Sequence, residues 1–458
     1  MKNTTSMTIP RTWPLYVAVS AVFLALVSNS LTTTGMFMDG LIYSNVAANM
    51  ADGIGSFWHP AYTASHHPDF YQHPPLMMGM LALCYKLLGT QLWVTKLYMV
   101  LTTVLCGWLI VRLWMRIGGK VENGWMPLFL WTMIPIVTRF ANQCMLENTM
   151  VLFVSGAILL MLRPCRKALN GLLAGVLLAA AFLTKGFTGL FPLALPLLLW
   201  MFDSRCNPFK TMLAQALCMI AGLLLPLAAI ALTTPEARVY FENYMQLQVL
   251  AGWSQNEVGR LQIVYYALRS IAIVAGIVAV VIILNKGVSE KPNRTYWAMW
   301  VMVACAVLPM MVSTRQREFY LLTAMPIVAT LAAKLIEKPV ARWIRPSRTL
   351  PYITISMLLG ALVLNAVRFG SEGRDVQLQR DMKVIAPYLK FGEMVTVPTP
   401  LYLNYSLQGY YYRECRVSLS DRHRCQRLIT TADYPVDSTY HEVLLPTEEY
   451  HLYELSAE

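Results

Sequence analysis

The residues best suited to chemistry lie in short polar breaks between long apolar runs. Asp39 and Tyr43 stand four apart in FMDGLIY. On a helix that spacing sets a carboxylate and a phenol one turn apart on one face, able to meet a single ligand. Taken alone, Asp39 reads first as the cap of that helix, because a carboxylate satisfies the unpaired N–H groups of a first turn. The stretch that follows runs on to Gln72-His73-Pro74-Pro75 and carries Asp52, Asp69 and the four histidines His59, His66, His67 and His73. Their irregular spacing matches no recognised metal centre, so they read as structural, with no cofactor expected. Further along, RFANQCMLENTM holds Arg139, Glu147 and Asn148, FLTKGFTGLFP holds Lys185, and STRQREFYLLTAMP holds Arg315, Arg317, Glu318 and Tyr320. An ionisable residue at membrane depth is a functional candidate by default, although a lysine at a helix end also snorkels to the interface. A lysine, two arginines and tyrosines gathered at one membrane face would clamp a phosphate, since planar guanidinium forks match phosphate oxygens.

Composition says what must hold these groups. The 458 residues are 56% hydrophobic and 14% charged, with mean hydropathy +0.48, against roughly 25% charged in a soluble domain. The chain is a polytopic α-helical membrane protein. Its net charge of +12 then reflects basic loops facing anionic lipid, and no nucleic-acid partner is expected. Apolar runs predict crossings over 13–33, 92–115, 124–140, 146–162, 169–184, 187–202, 212–233, 264–285, 296–312, 319–336 and 350–368, about eleven in all. The first run is a retained anchor, because no small-residue cleavage site follows it. The stretch 76–89 spans only about 21 Å as a helix and falls short of a crossing. It therefore belongs with the rest of 34–91 to a first outer loop with juxtamembrane helices. Every alternate connection is then basic: Arg112, Arg116 and Lys120; Arg163, Arg166 and Lys167; Arg205 and Lys210; Lys286, Lys291 and Arg294; and Lys334, Lys338, Arg342, Arg345 and Arg348. Together with Lys2 and Arg11, they predict a cytoplasmic N-terminus and an extracytoplasmic C-terminus. The segment 234–262 reads as an amphipathic lid at the membrane surface.

After Arg368 the hydropathy drops. The chain divides into a transmembrane domain, 1–370, and a small extracytoplasmic α/β domain, 371–458, with strands near 394–397, 417–419, 428–431, 441–445 and 452–455 and helices near 375–389 and 401–412. Cys415 and Cys425 are either a disulfide or two free thiols, and the other cysteines, Cys206 among them, read as core filler.

The order of these motifs resembles the GT-C glycosyltransferases, in the branch that holds the bacterial aminoarabinose transferases of lipid A and the protein O-mannosyltransferases. The resemblance covers about residues 14–335. It implies that Asp39 is catalytic, with Tyr43 one turn on, that Gln72-His73-Pro74-Pro75 closes the loop, and that Glu147 is a second acidic site. It places the Leu-Thr-Lys-Gly motif on Leu183 to Gly186 and the late basic-and-tyrosine motif on Arg315 or Arg317 with Tyr320. Two departures stand out: His73 sits where many relatives have lysine, and Gln72 replaces a carboxylate.

What the resemblance implies is a GT-C fold and an inverting enzyme of the bacterial inner membrane. It would move a single sugar from a polyprenyl-phosphate donor to a lipid, glycan or protein acceptor on the extracytoplasmic face. Asp39 would act as general base or support charge on the sugar ring, and Glu147 as a second base or a group positioning Asp39. Lys185, Arg315, Arg317 and His73 would neutralise the leaving phosphate, and Tyr43 and Tyr320 would orient it. A transporter or flippase of lipid-linked sugars, or a polymerase or ligase of undecaprenyl-linked glycans, is the alternative.

Overall fold

The computed structural model describes residues 11–205, 207–250, 259–287, 293–312, 315–344 and 347–456. Lys2, Cys206, Lys291, Arg345 and residues 251–258 of the lid segment lie outside them. Among the described residues, eight helices are long and apolar enough to cross a membrane: Trp13–Thr32, Leu92–Arg116, Lys167–Gly189, Phe209–Thr233, Gln262–Leu284, Arg294–Val312, Glu318–Trp343 and Leu350–Arg368. The other three expected runs are helical but short or broken. Residues 124–140 form Trp125–Thr132 and Pro135–Phe140, and Leu146–Met161 has 16 residues. Residues 187–202 fold as tight single turns ahead of Leu195–Phe202. Prolines explain two of these breaks, since Pro135, Pro192 and Pro196 each sit where a helix starts afresh, a position that needs no N–H donor.

The contacts gather the chain into two units. The first comprises Met1–Ser28, Val100–Ala141 and Leu146–Val367. In it, the helix ending at Lys185 lies against Phe209–Thr233 through facing glycines: a Cβ on Gly175 would sit 2.1 Å from the Met219 carbonyl oxygen, and one on Gly222 2.1 Å from that of Leu172. Small residues let the two backbones touch, the means by which helices associate where there is no water to drive them. The segment Glu318–Trp343 is 83% buried over its apolar window, so it is the axis around which the unit packs.

The second unit comprises Asn29–Met99, Asn142–Met145 and Arg368–Glu458. Its centre is the helix Met38–Ala51, buried at every position from Gly40 to Met50. A helix buried on all sides needs neighbours on all sides, and Leu76–Leu88, a 13-residue helix too short to span, and Tyr405–Cys415 lie against it. The five tail strands are β1 (Met394–Thr396), β2 (Ser418–Ser420), β3 (Arg427–Thr430), β4 (Tyr440–Val443) and β5 (His451–Leu455), all within two residues of the sequence expectation. They form one sheet in the order β2-β1-β3-β5-β4, with β1 parallel to β2 and β3, and β5 antiparallel to β3 and β4. The single helix expected over 401–412 is two, Thr399–Tyr402 and Tyr405–Cys415. Asn404 separates them, its side chain accepting the Ser406 and Leu407 N–H groups as a helix cap. Buried Asp381 accepts the N–H groups of Glu448, Glu449 and Tyr450 at 3.1, 2.8 and 2.9 Å, which ties the helix Val376–Ile385 to the chain entering β5. Cys415 and Cys425 are free thiols. Residues 29–99 group with the tail, which a division at residue 370 alone does not convey.

Candidate active site

The candidate residues fall into two groups, one in each unit. In the first unit the helix Lys167–Lys185 ends where Gly186 takes a positive φ of 76°, so Lys185 is the last residue before a reversal. Its side chain is 4% exposed and ion-pairs with Glu147, which is fully buried in the first turn of Leu146–Met161. The ammonium also lies over two rings, 4.5 Å from the centroid of Tyr320 and 5.0 Å from that of Phe319. A desolvated cation over an aromatic face gains about 2 kcal/mol. Lys185 is therefore held by one carboxylate and two rings, and does not snorkel. Glu147 and Asn148 also form part of the wall of a small cavity with Thr102, Thr103 and Leu322.

The segment carrying the late arginines is extended, with Arg317 at φ −129° and ψ 144°. In such a backbone successive side chains point to opposite sides. Gln316, 1% exposed, points inward; its Oε1 accepts the Ile263 N–H and its Nε2 donates to the Arg260 and Met310 carbonyls at 2.9 and 3.2 Å. Arg317 is exposed, and Arg315 is half-buried and donates to Gln248 Oε1 at 3.3 Å. Glu318 bridges Arg139 and Arg269, the latter at 2.8 Å. Sequence reasoning missed Gln316, Phe319 and Arg269. A lone amide between two arginines was the available signal for Gln316, since a buried amide must find partners.

In the second unit Phe37 is the residue before the helix Met38–Ala51, so Asp39 lies inside the first turn and not at the cap position. A carboxylate there is favoured by the positive end of the helix dipole. Tyr43 follows one turn later, 3% exposed, with its ring edge-on to His73 at 5.7 Å and to Phe70 at 6.5 Å. Tyr43 thus connects the Asp39 helix to the Gln72-His73-Pro74-Pro75 end of the loop. Gln72 contacts His67, Nε2 to Nε2, at 2.7 Å. The histidines serve separate neighbours: His59 pairs with Asp69 at 2.9 Å, His66 lies among Tyr62, Tyr402 and Tyr405, and His67 meets Gln72. Among the described residues no group of three or more His, Cys, Asp or Glu side chains is placed to hold a metal.

Sequence reasoning also missed the residues that fix this helix to the tail. Asn45 donates to the Gly409 carbonyl at 2.9 Å. Asn49 donates to those of Ala61 and Tyr62 at 2.9 and 2.7 Å, and its oxygen accepts from the Tyr412 hydroxyl at 3.0 Å and from Arg416. Arg413 donates to the Ser44 hydroxyl and the Thr90 carbonyl, both at 3.1 Å. Lys96, a lone lysine inside an apolar run, is 7% exposed and holds the carbonyls of Ser30 and Asn142. A further cavity of about 400 Å³ opens between the start of this helix and the tail, lined by Met36, Leu41, Gln91, Gln379, Tyr410 and Arg413 among others.

Comparison with known proteins follows from this architecture. A family model described as dolichyl-phosphate-mannose-protein mannosyltransferase matches residues 72–231, a stretch that contains Gln72, His73, Glu147 and Lys185. No curated protein sequence matches the chain. Among solved structures, the chain is similar to ArnT from Cupriavidus metallidurans, with a TM-score of 0.67 and 15% identity over 96% of this chain and 97% of that one. It is similar to the oligosaccharyltransferase AglB from Archaeoglobus fulgidus, with a TM-score of 0.54 and 10% identity over 92% and 69%. It is also similar to the arabinofuranosyltransferase AftD from Mycobacteria, with a TM-score of 0.52 and 13% identity over 99% of this chain and 42% of that one. The chain has the GT-C fold, and its residues 72–231 match the dolichyl-phosphate-mannose-protein mannosyltransferase family model.

Proposed function

We propose that the chain transfers a single sugar from a polyprenyl-phosphate donor to a lipid, glycan or protein acceptor, with inversion at the anomeric carbon, on the extracytoplasmic face of a bacterial inner membrane. The observation that carries this reading is Lys185, buried, paired with Glu147 and lying over the ring of Tyr320, three residues from Arg317 in the sequence. Cations built into an apolar bundle in this way suit a phosphate carried on a lipid. The solved relatives agree with that chemistry, since ArnT was crystallised with undecaprenyl phosphate and AglB with a dolichol phosphate.

In the reaction, the acceptor attacks the anomeric carbon as the bond to the phosphate oxygen breaks, and polyprenyl phosphate departs with that electron pair. Asp39 takes the acceptor's proton, or supports positive charge on the ring when the acceptor is already an anion. Lys185, Arg315 and Arg317 of the first unit neutralise the departing phosphate, and Tyr320 donates to it. The burial of Glu147 against Lys185 supports a positioning role: the carboxylate holds the lysine side chain in place. The tail side of the 400 Å³ cavity supports an acceptor-shaping role for residues 371–458. The basic ends of alternate helices support a cytoplasmic N-terminus and an extracytoplasmic tail. The test compares membrane glycolipids and envelope proteins with and without the chain by mass spectrometry. Addition of one sugar mass supports transfer. Relocation of lipid-linked sugar without any new glycosidic bond points to a flippase instead.

A further inference from the structure

At the far end of the helix Met325–Trp343 from Tyr320 lies a cavity of about 790 Å³ that the proposed chemistry leaves unused. Lys338 stands 13 residues beyond the first residue of that helix, or about 20 Å along its axis. The cavity is lined by Lys120, Lys334, Lys338, Arg342, Glu337 and Asn285 among others. Four cations thus face one carboxylate, and that carboxylate is fully engaged. Glu337, 6% exposed, accepts the Lys120 N–H at 3.0 Å, Asn123 Nδ2 at 3.1 Å and Lys334 Nζ at 2.7 Å. Lys334 also donates to the Gly118 carbonyl at 2.8 Å and lies over the Trp114 ring. Arg342 donates to a neutral acceptor, Asn285 Oδ1, at 2.6 Å. Glu337 therefore works as an internal brace, joining the helix Met325–Trp343 to the 118–123 turn. Lys120, Lys338 and Arg342 also line the cavity, so basic side chains outnumber acidic ones among its described lining residues.

Position adds a second argument. Three apolar spans, Leu92–Arg116, Gln262–Leu284 and Glu318–Trp343, all end at this cavity. A basic pocket where membrane-spanning helices end lies at headgroup depth, and such pockets take anionic phosphate groups. We infer that the cavity lined by Lys120, Lys334, Lys338 and Arg342 binds a phosphate-bearing anion, the headgroup of an anionic phospholipid or a free phosphate. The site is separate from the one that would hold the donor, and the inference does not rest on the transferase reading.

The test is thermal unfolding of the full-length protein in a zwitterionic detergent, titrated with dihexanoyl phosphatidylglycerol, dihexanoyl phosphatidylcholine or inorganic phosphate. The expected result is a saturable rise in midpoint with phosphatidylglycerol, absent with phosphatidylcholine, whose apparent affinity falls at least tenfold in K338Q/R342Q. Protection by phosphatidylglycerol alone assigns the site to a lipid headgroup. Equal, competing protection by inorganic phosphate assigns it to an aqueous anion. Because all three side chains of Lys120, Lys338 and Arg342 are exposed, K120Q serves as a second variant should the double one unfold early. No saturable shift with either anion, an equal shift with phosphatidylcholine, or wild-type affinity in both variants would overturn the inference.

Discussion

Lys185 and Glu147 show how one pair of residues combines stability with function. Burying both charges costs several kcal/mol before their attraction returns it, and removing one partner leaves the other uncompensated. K185M is therefore expected to destabilise the protein by about 3–5 kcal/mol, whereas K185M/E147M, with the carboxylate also gone, returns close to wild-type stability. Chemical unfolding of the purified variants measures both. Sugar transfer is expected to fail in both, which separates the ammonium's role at the phosphate from its role in packing. If K185M/E147M were as unstable as K185M, the pair would not be what holds these helices. Lys185 itself was legible in the sequence, because a lysine at a break between apolar helices is rare. Its partner was not, because the 38 residues between Glu147 and Lys185 leave the pairing to tertiary packing.

At the scale of elements, the loop and the tail meet around His66. Its ring is 7% exposed, and neither nitrogen has a hydrogen-bond partner among the described residues. Tyr62, Tyr402, Tyr405 and His67 surround it, with Asp421 near enough to oppose the shift. Burial, helped by the neighbouring His67, pushes the imidazole down to about 4 from its ordinary 6.5. A histidine lowered in this way binds its proton more readily when unfolded. The stability it contributes is then complete above pH 6.5 and is lost as the pH falls from there through 4. Thermal unfolding is expected to show an acid loss on the order of 3 kcal/mol across that window. H66F should flatten the acid slope and raise stability at neutral pH by about 1 kcal/mol, since it removes two buried unpaired atoms. An unchanged slope would remove His66 from the acid response. The tail strands were readable from alternation and turn residues, and all five lie close to where the sequence puts them. The docking of the tail was less readable. It runs through Asn45, Asn49 and Arg413, polar residues whose partners lie more than three hundred positions away.

For the whole molecule, composition alone dictated a helical membrane protein, and hydropathy located eight spans that the structure also shows. Of the remaining three segments, two are interrupted where proline starts helices anew at Pro135, Pro192 and Pro196, breaks that hydropathy averages over, and the third, Leu146–Met161, is a single helix of 16 residues. The grouping of residues 29–99 with 368–458 predicts that these stretches depend on each other. Deleting 371–458 should leave the helices of the first unit in the membrane. It should also expose the helix Met38–Ala51, which is buried from Gly40 to Met50, so that limited proteolysis cuts within 34–91 far faster than in the full chain. Equal protection of that loop in the truncated protein would contradict a shared unit. Labelling of a cysteine placed at Lys338 only from the cytoplasmic side, and of one placed at Glu442 only from outside, is the expected orientation. The reverse pattern would invert it.

The most direct measurement is sugar transfer from a purified polyprenyl-phosphate sugar by the full-length protein, comparing wild type with D39N. The substitution keeps the shape of the side chain and removes its charge and basicity. The expected result is wild-type transfer with inverted anomeric configuration and a loss of at least a hundredfold in D39N, in the range of one positioned base. Wild-type rates in D39N, or no transfer from any polyprenyl-phosphate sugar by the wild type, would contradict the proposed mechanism at its first step.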